Sequence, residues 1–363
     1  MKILDKYILK KFFSTFFLTV SILIPIAIAV DISEKIGKFL DHANLGAMEI
    51  ITDYYIPFIV YYGITFLPLA LFISTILFTS KLASNTEVVA IHSAGIPYRR
   101  FLKPYIIGAI IIGLFALTFG HFVVPKFNKT KEAFNEAYLR KLSDKKTKTY
   151  INNISLQLNE DDVIYFRNFN LQNNNGFDFS YQHFNGLDLE YILYAKQIKY
   201  NPKDSTYTLS NYRKKWIGTT KDSIDYGKKL DTTFNFFPDD LLYVDYLAQE
   251  MPSSQLIKHI AESEGRGVKS LNKYKVALHS RTTMPVSALI LTVIAVSLSS
   301  RKRRGGIGIN LAIGISLMFL YVFFMKITEV LGAAVTYNPL FMVWIPNILF
   351  AGIAIYLYVN AKQ

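Results

Sequence analysis

Long apolar stretches without a single Lys, Arg, Asp or Glu dominate the pattern of this 363-residue chain. The five longest are Phe12–Val30, Tyr54–Phe78, Pro104–Val124, Ile307–Met325 and Pro339–Val359. A sixth, Thr282–Ser299, is shorter and less apolar but is also uncharged. A helix needs about 20 apolar residues to cross the ~30 Å hydrocarbon core of a bilayer. The pattern therefore predicts six transmembrane helices.

A long polar insert separates the first three spans from the last three. After Pro125 a charged, helical stretch leads into alternating apolar and polar positions, which are typical of strands. Tyr191–Tyr200 and Thr206–Ile217 flank a turn at Asn201–Ser205 and predict a β-hairpin. Short strands with polar turns favour a sandwich, a jelly roll or an open barrel. Helical character returns after Pro252 and continues into the fourth span.

A short polar block between the second and third spans, Lys81–Lys103, carries strong helix signals. Ser84 and Glu87 have the spacing of a capping box, in which the hydroxyl and the carboxylate each accept a hydrogen bond from a backbone N–H. Gly95 followed by Pro97 is typical of a helix end. We therefore predict a helix of about three turns, ~15 Å long, over roughly residues 84–95.

The distribution of Lys and Arg around the spans predicts the orientation of the chain in the membrane. Cations cluster before the first span, within Lys81–Lys103 and after the fourth span at Arg301–Arg304. On the opposite side, the connection after the first span is mostly acidic and Leu331–Asn338 holds no cation. Both termini and the polar block are therefore expected in the cytoplasm, with the insert on the other side.

Composition and motifs argue against several other classes of protein. The net charge of +13 comes from dispersed cations, so a nucleic-acid partner is not expected. The chain has no cysteine, six scattered histidines and no His-Glu-x-x-His or Gly-x-Ser-x-Gly pattern, so we expect no metal site and no hydrolase site. Gly265–Ser270 approaches a phosphate-binding loop, but Val268 replaces its second glycine. We therefore expect a non-catalytic protein without a cofactor, which takes its energy from another chain.

Three short motifs and their order along the chain match a known arrangement. Thr86–Gly95 (TEVVAIHSAG) fits the pattern S/T-E-x-x-A-x-x-x-A-G between spans two and three. Leu4–Ile8 (LDKYI) precedes the first span, and His279–Pro285 (HSRTTMP) forms the entry to the fourth. Together with the β insert after span three, these motifs resemble the LptF/LptG family of lipopolysaccharide-export permeases, in which the first pattern is the coupling helix.

The resemblance implies a fold and a set of partners. The fold would be an α-helical membrane protein with six transmembrane helices (3+3) and an inserted periplasmic all-β jelly-roll-like domain. The partners would be a sibling LptF/LptG-type permease, an LptB-like cytoplasmic ATPase dimer and LptC/LptA-like periplasmic jelly-roll proteins. The permease pair of this ABC transporter would extract lipopolysaccharide from the inner membrane of a Gram-negative cell and pass it to the periplasmic bridge. Whether the chain is LptF-like or LptG-like stays open.

The resemblance also assigns a coupling site on the short helix. Glu87 matches the family's glutamate that docks into a groove of the ATPase. We assign the remaining contacts to neighbouring positions of the same motif: Thr86, Val88, Ile91, His92 and Gly95. The alternative is that Glu87 only completes the capping box.

Cations near the predicted outer ends of the spans are candidates for binding lipid phosphates, since Lys and Arg at the interface pair with anionic headgroups. These residues are Lys35, Lys38, Arg281 and Lys326. A cation at a span end can instead anchor the helix by snorkelling, and Lys326 can pair with Glu329 one turn further on.

The sequence also predicts how the chain divides into three segments, and two alternatives to the permease function have to be considered. Residues 1–125 would hold spans one to three with the coupling helix at about 84–95, residues 126–252 the β domain, and residues 253–363 an amphipathic helix and spans four to six. A membrane-anchored periplasmic binding or assembly module without transport activity remains an alternative. A self-contained secondary transporter is disfavoured, because the spans lack the carboxylates that coupling-ion sites use near the midplane.

Overall fold

The computed structural model describes residues 3–42, 44–139, 150–158, 161–170, 172–202, 204–218, 222–238, 245–265, 271–301, 306–334 and 336–361. The sequence features at 140–149, 266–270 and 302–304 lie outside these ranges. The chain divides into two compact units. One is helical and comprises Met1–Phe134, Ala248–Ser254 and Lys275–Gln363. The other comprises Asn135–Leu247 and Gln255–Tyr274 and contains a β-sheet.

Six helices among the described residues are long and apolar enough to cross a membrane, as predicted. In chain order the α-helices are α1 (Ile3–Leu40), α2 (Ala47–Glu49), α3 (Ile56–Thr65), α4 (Leu67–Ser84), α5 (Glu87–Ser93), α6 (Tyr98–Thr118), α7 (Val124–Phe134), α8 (Asp245–Glu250), α9 (Ser253–Gly265), α10 (Asn272–Ser299), α11 (Gly306–Ala333) and α12 (Pro339–Ala361). Three π-helical segments join or extend them, at Ile50–Tyr55, Phe119–Val123 and Asn135–Leu139. The candidate spans are α1, α4, the segment Tyr98–Leu139, α10, most of α11, and α12.

Helix α1 is much longer than the apolar stretch that predicted it. It has 38 residues, which corresponds to ~57 Å at 1.5 Å per residue, against ~30 Å of hydrocarbon. Near its N-terminus Ile8, Phe12 and Phe16 are buried in a cluster shared with α4, α5 and α6. The helix therefore extends well beyond the predicted span at both ends.

The second predicted span is broken into two helices. The sequence predicted one helix over Tyr54–Phe78, whereas α3 ends at Thr65 and α4 begins at Leu67, with Phe66 between them. Pro68 lies in the first turn of α4 and has no N–H to donate to a preceding carbonyl. The structure thus corrects the span to α4, and the proline explains why the helix does not run through.

Close packing between α4 and α11 depends on a small residue. A Cβ added at Gly314 on α11 would lie within 2.2 Å of the Ile76 side chain on α4. Ile76 is fully buried in the second helical cluster, together with Phe72 and Phe350. Small residues at such crossings let helix backbones approach within a membrane. Gly314 therefore sets the distance between these two spans.

The inserted unit contains an antiparallel β-sheet, as predicted. Its strands are β1 (Tyr150–Gln157), β2 (Asp162–Asn170), β3 (Asn175–Asn185), β4 (Asp188–Asn201), β5 (Thr206–Trp216) and β6 (Ser223–Thr232). They pair antiparallel in chain order, and no described strand pairs β1 with β6. The predicted hairpin is confirmed, since Asn201 pairs with Thr206 where β4 turns into β5. Phe166, Phe179 and Tyr207 lie in a buried aromatic core on one face of the sheet.

Candidate functional site

The short helix α5 begins later than its sequence predicts. Ser84 is the last residue of α4, which continues past its apolar stretch because Leu82 and Ala83 are buried against the helical core. Thr86 is the residue before the helix, and its side chain makes no capping hydrogen bond. The predicted capping box is therefore wrong, and the helix has seven residues instead of about three turns.

The backbone at the start of α5 is strained. Thr86 has φ of 60°, in the left-handed region. This conformation costs an L-residue about 1–2 kcal/mol and is a genuine outlier for a β-branched side chain. Its hydroxyl donates a hydrogen bond to the Asn85 carbonyl at 2.6 Å. The two helices α4 and α5 are thus joined by a tight, strained connection at Thr86.

The end of α5 agrees with the sequence prediction. Gly95 has φ of 78°, and a Cβ there would meet nothing within 4 Å, so glycine is needed for the backbone alone. Its N–H donates to the His92 carbonyl at 2.9 Å, and the Ile96 N–H donates to the Ile91 carbonyl at 3.4 Å. This pair of bonds is a Schellman motif.

Glu87 is held by a residue far away in sequence. The Tyr7 hydroxyl on α1 donates to Glu87 Oε2 at 2.9 Å, and Asn85 Nδ2 donates to Glu87 Oε1 at 3.3 Å. Glu87 is the first residue of α5, where the helix dipole favours a negative charge. The contact with Tyr7 could not be read from local spacing, because the two residues are 80 positions apart.

The other residues of the coupling motif lie on two faces of α5. Val88 is buried, while Ile91 and His92 are partly buried, and His92 Nδ1 contacts the Ile96 carbonyl at 2.9 Å. Since a carbonyl can only accept, the imidazole donates from Nδ1. Thr86, Val89 and Gly95 are exposed, and Val89 is the large apolar side chain on the outward face.

Sequence reasoning missed Val89, although the periodicity contained the signal. Val88, Ile91 and His92 follow the i, i+3, i+4 spacing of one helical face, which is the face that packs on the protein. Val89 belongs to the opposite face. The inward position of Val88 and the outward position of Val89 therefore follow from the same pattern.

A bidentate ion pair lies close to α5. Arg100 on α6 donates from Nη1 to Asp5 Oδ1 at 2.6 Å and from Nη2 to Asp5 Oδ2 at 2.7 Å. The side chain of Asp5 is only 7% exposed, whereas that of Arg100 is 27% exposed. Two parallel N–H···O bonds of this kind are among the strong hydrogen bonds of proteins. The first turns of α1 are thus bound to both α5 and α6.

The predicted lipid-binding cations differ in how the protein holds them. Near the other end of α1, Lys35 forms an ion pair with Asp31 and donates to the Tyr54 hydroxyl. The Tyr54 and Tyr55 hydroxyls donate to Asp31 at 3.1 and 3.4 Å. Lys38, one turn further on, is exposed. Of the two predicted lysines, Lys35 is therefore bound to protein partners and Lys38 is exposed.

Lys326 pairs with Glu329 on the same helix at 2.7 Å, and its side chain remains 66% exposed. This is the pairing that the sequence left open as an alternative. Both residues lie near the C-terminal end of the candidate span Ile307–Ala333. The pair uses one of the three donors of the ammonium group. Lys326 thus stays accessible to an anionic group.

Arg281 on α10 donates hydrogen bonds to the segment that joins α8 to α9. Its Nη1 donates to Ser253 Oγ at 2.7 Å, and its Nη2 donates to the carbonyls of Ala248 and Met251 at 2.8 and 2.9 Å. His121 Nδ1 contacts the same Ser253 Oγ at 2.7 Å. Arg281 therefore fixes the end of α8 and the start of α9, a role that its position in the sequence did not indicate.

Arg281, Lys326 and Glu329 line one cavity within the helical unit, and Lys35 and Lys38 do not. The cavity has a volume of 610 Å³ and is bounded mainly by apolar side chains of α3, α4, α10 and α11. Asn128 on α7 also lines it. Ligand pockets have volumes of about 300–1,000 Å³ with a few placed polar groups. The cavity is suited to an apolar group with an anionic end.

The part of the chain that the structure describes contains no cluster of three or more His, Cys, Asp or Glu residues that could hold a metal ion. A search of curated proteins returns no match to the chain. The family model described as "Lipopolysaccharide export system permease LptF/LptG" matches residues 6–360. This match covers nearly the whole chain, including α5, the sheet and the candidate spans. The chain therefore belongs to the LptF/LptG family of lipopolysaccharide export system permeases.

Proposed function

We propose that this chain is one permease subunit of an ABC transporter that extracts lipopolysaccharide from the inner membrane and passes it to a periplasmic bridge. Membership of the family makes it a lipopolysaccharide export permease. The finer proposal is that a separate cytoplasmic ATPase dimer of the LptB type drives it through α5. The observation that carries this proposal is α5 itself, a short helix that follows directly on a spanning helix and ends in a fixed turn.

The surface of α5 supports docking of another protein. An ionised carboxylate offers about four lone-pair sites, and Tyr7 and Asn85 use two of those on Glu87. Glu87 can therefore accept further hydrogen bonds from an arginine or a backbone N–H of the ATPase. Val89 adds an exposed apolar side chain two residues on, 56% exposed. In this proposal Val88, Ile91 and His92 hold α5 against the rest of the helical unit. Thr86 lies directly before the helix, and Gly95 forms the turn that ends it.

The charged residues around the cavity and at the end of α1 are the proposed phosphate contacts. Lys38 and Lys326 are exposed, so both can bind a lipid phosphate directly. Lys35 has to exchange its bonds to Asp31 and Tyr54 for bonds to phosphate. Arg281 offers only the donors that the protein leaves unused. Lys38 and Lys326 are therefore the stronger candidates.

The proposal places both termini and α5 in the cytoplasm and the sheet in the periplasm, following the distribution of Lys and Arg. It also keeps the three segments 1–125, 126–252 and 253–363. The partners are a sibling permease, the ATPase dimer and periplasmic jelly-roll proteins that receive the lipid.

Purification of the tagged chain from its own membranes tests this function. We expect an ATPase subunit and a second LptF/LptG-type permease to co-purify. Glu87→Ala should reduce recovery of the ATPase, whereas Ser93→Ala, an exposed position on the same helix, should leave it unchanged. Recovery of the chain without any ATPase would instead favour a membrane-anchored assembly module.

A further inference from the structure

The N-terminal turns of α1 touch the coupling region at two independent points. The Tyr7 hydroxyl reaches Glu87 on α5, and Asp5 forms the bidentate pair with Arg100 on α6. Val88 on the inner face of α5 is buried in the same cluster as Ile8 of α1. Helix α1 is thus a direct neighbour of the predicted ATPase site, although it lies 80 positions away in sequence.

These contacts differ in what they fix. The bond from Tyr7 restricts the carboxylate of Glu87 to one orientation, which a flexible side chain at a helix start would not keep by itself. The Asp5–Arg100 pair holds α1 against α6, and its carboxylate is nearly buried. Breaking such a pair leaves a charge without a partner in a poorly solvated place. Together they bind the start of α1 to both α5 and α6.

Helix α1 also reaches the other side of the helical unit. It is helical from Ile3 to Leu40, contains Pro25 in its interior, and carries Asp31 and Lys35 near its far end. A proline in a helix interior removes one backbone hydrogen bond, so Pro25 is the position at which the two halves of α1 can bend. A displacement of α5 by the ATPase would therefore act on the N-terminal half of α1, which carries Asp5 and Tyr7.

We propose that Tyr7 is a positioning residue that aligns Glu87 for the ATPase, and that Asp5 and Arg100 make α1 the element that follows the movement of α5. The proposal rests on the proposed function, because it assigns a residue to the same coupling site. Tyr7 acts through Glu87 and does not itself touch the ATPase.

A double-mutant cycle tests the positioning role, with the co-purifying ATPase titrated onto the permease pair in nanodiscs. We expect Tyr7→Phe to raise the dissociation constant about threefold and Glu87→Ala about tenfold. The double variant should bind no more weakly than Glu87→Ala alone, since Tyr7 has nothing left to position. Tyr356→Phe on the exposed face of α12 is the matched control and should have no effect. Effects that multiply to about thirtyfold, or a Tyr7→Phe variant that binds normally, would overturn the proposal.

A second measurement needs no ATPase and so separates this proposal from the proposed function. The chain has no cysteine, so Ser93→Cys gives a single site for a spin label on α5. We expect the label to become more mobile with Tyr7→Phe and not with Tyr356→Phe. Unchanged mobility would contradict the positioning role even if the ATPase binds. If the unmodified chain recovers no ATPase, the proposed function fails while the label still decides whether Tyr7 fixes α5.

The ion pair is tested by charge reversal. Asp5→Arg and Arg100→Asp should each reduce lipid released per ATP hydrolysed, and the double reversal should restore most of it. A double variant as poor as the single ones would show that the pair does not connect α1 to the movement of α5.

Discussion

The coupling region and the proposed lipid-binding cations are both charged, but they are built in opposite ways. At α5 the proposed coupling residues are neighbours in sequence, and Glu87 keeps acceptor sites that Tyr7 and Asn85 do not use. Among the four cations, Lys35 and Arg281 use their donors on protein partners, whereas Lys38 and Lys326 stay exposed. A residue with unused bonding capacity is suited to docking, whereas one with its bonds satisfied contributes first to the fold.

The strongest test of this contrast is at Arg281. Arg281→Met removes three hydrogen bonds and leaves the carbonyl of the buried Ala248 without that donor, which should cost about 2–3 kcal/mol of stability. We expect a clearly lower midpoint of thermal unfolding in detergent. Lys326→Met, at an exposed cation lining the same cavity, should change the midpoint little. An unchanged midpoint for Arg281→Met, with lipid crosslinking lost, would make Arg281 a lipid ligand instead.

The two lysines of α1 provide a comparison within one helix. Lys35→Glu places a second carboxylate beside the nearly buried Asp31 and should destabilise the chain by about 1–2 kcal/mol. Lys38→Glu is exposed and should alter stability by less than about 0.5 kcal/mol. Thermal unfolding measures both effects. We expect each variant to reduce photocrosslinking of lipopolysaccharide from nearby positions, and unaltered crosslinks would refute the phosphate contact.

The end of α5 should be sensitive to a single methyl group. Gly95→Ala forces an L-residue into φ of 78° without any clash, so we expect a loss of about 1 kcal/mol from the backbone alone. Gly37→Ala, inside α1 and also in open space, should instead stabilise by up to about 1 kcal/mol. Denaturation in detergent compares them. Equal effects at the two positions would show that the turn at Gly95 is not what ends α5.

The smallest expected effect is at the start of α5. Asn tolerates the left-handed region better than a β-branched residue, so Thr86→Asn should gain about 0.5 kcal/mol. If the strained connection also serves coupling, the variant should be more stable and transfer less lipid per ATP. A destabilised Thr86→Asn variant would show that the Thr86 hydroxyl matters more than its backbone strain.

A region can be predicted from the sequence when the interactions that determine it join residues close together in the chain. The number of spans, the hairpin at Asn201 and the turn at Gly95 depend on local periodicity and backbone conformation, and these predictions were confirmed. The bounds of the second span were wrong and are corrected to α4. The start of α5 was wrong, because burial of Leu82 and Ala83 extends α4 through the position where the cap was expected. Tertiary packing overrode a local signal there.

The partners of Glu87 and Arg281 could not be predicted, because they join distant parts of the chain. Tyr7 and Glu87, or Arg281 and Ser253, have no spacing rule that would identify them. The pairs Lys326–Glu329 and Asp31–Lys35 each lie on one helical turn, where spacing alone can indicate them. The first was anticipated and the second was missed. The assignment of these residues to the ATPase or the lipid remains a prediction.

The central claim is that the energy for lipid extraction enters through Glu87 on α5. It is tested most directly in vesicles that contain lipopolysaccharide, the permease pair and the ATPase, with a periplasmic jelly-roll protein as acceptor. We predict ATP-dependent transfer of lipopolysaccharide to the acceptor with the unmodified chain, and a loss of that transfer with Glu87→Ala although the protein stays folded. Equal transfer with the unmodified chain and with Glu87→Ala would contradict the account.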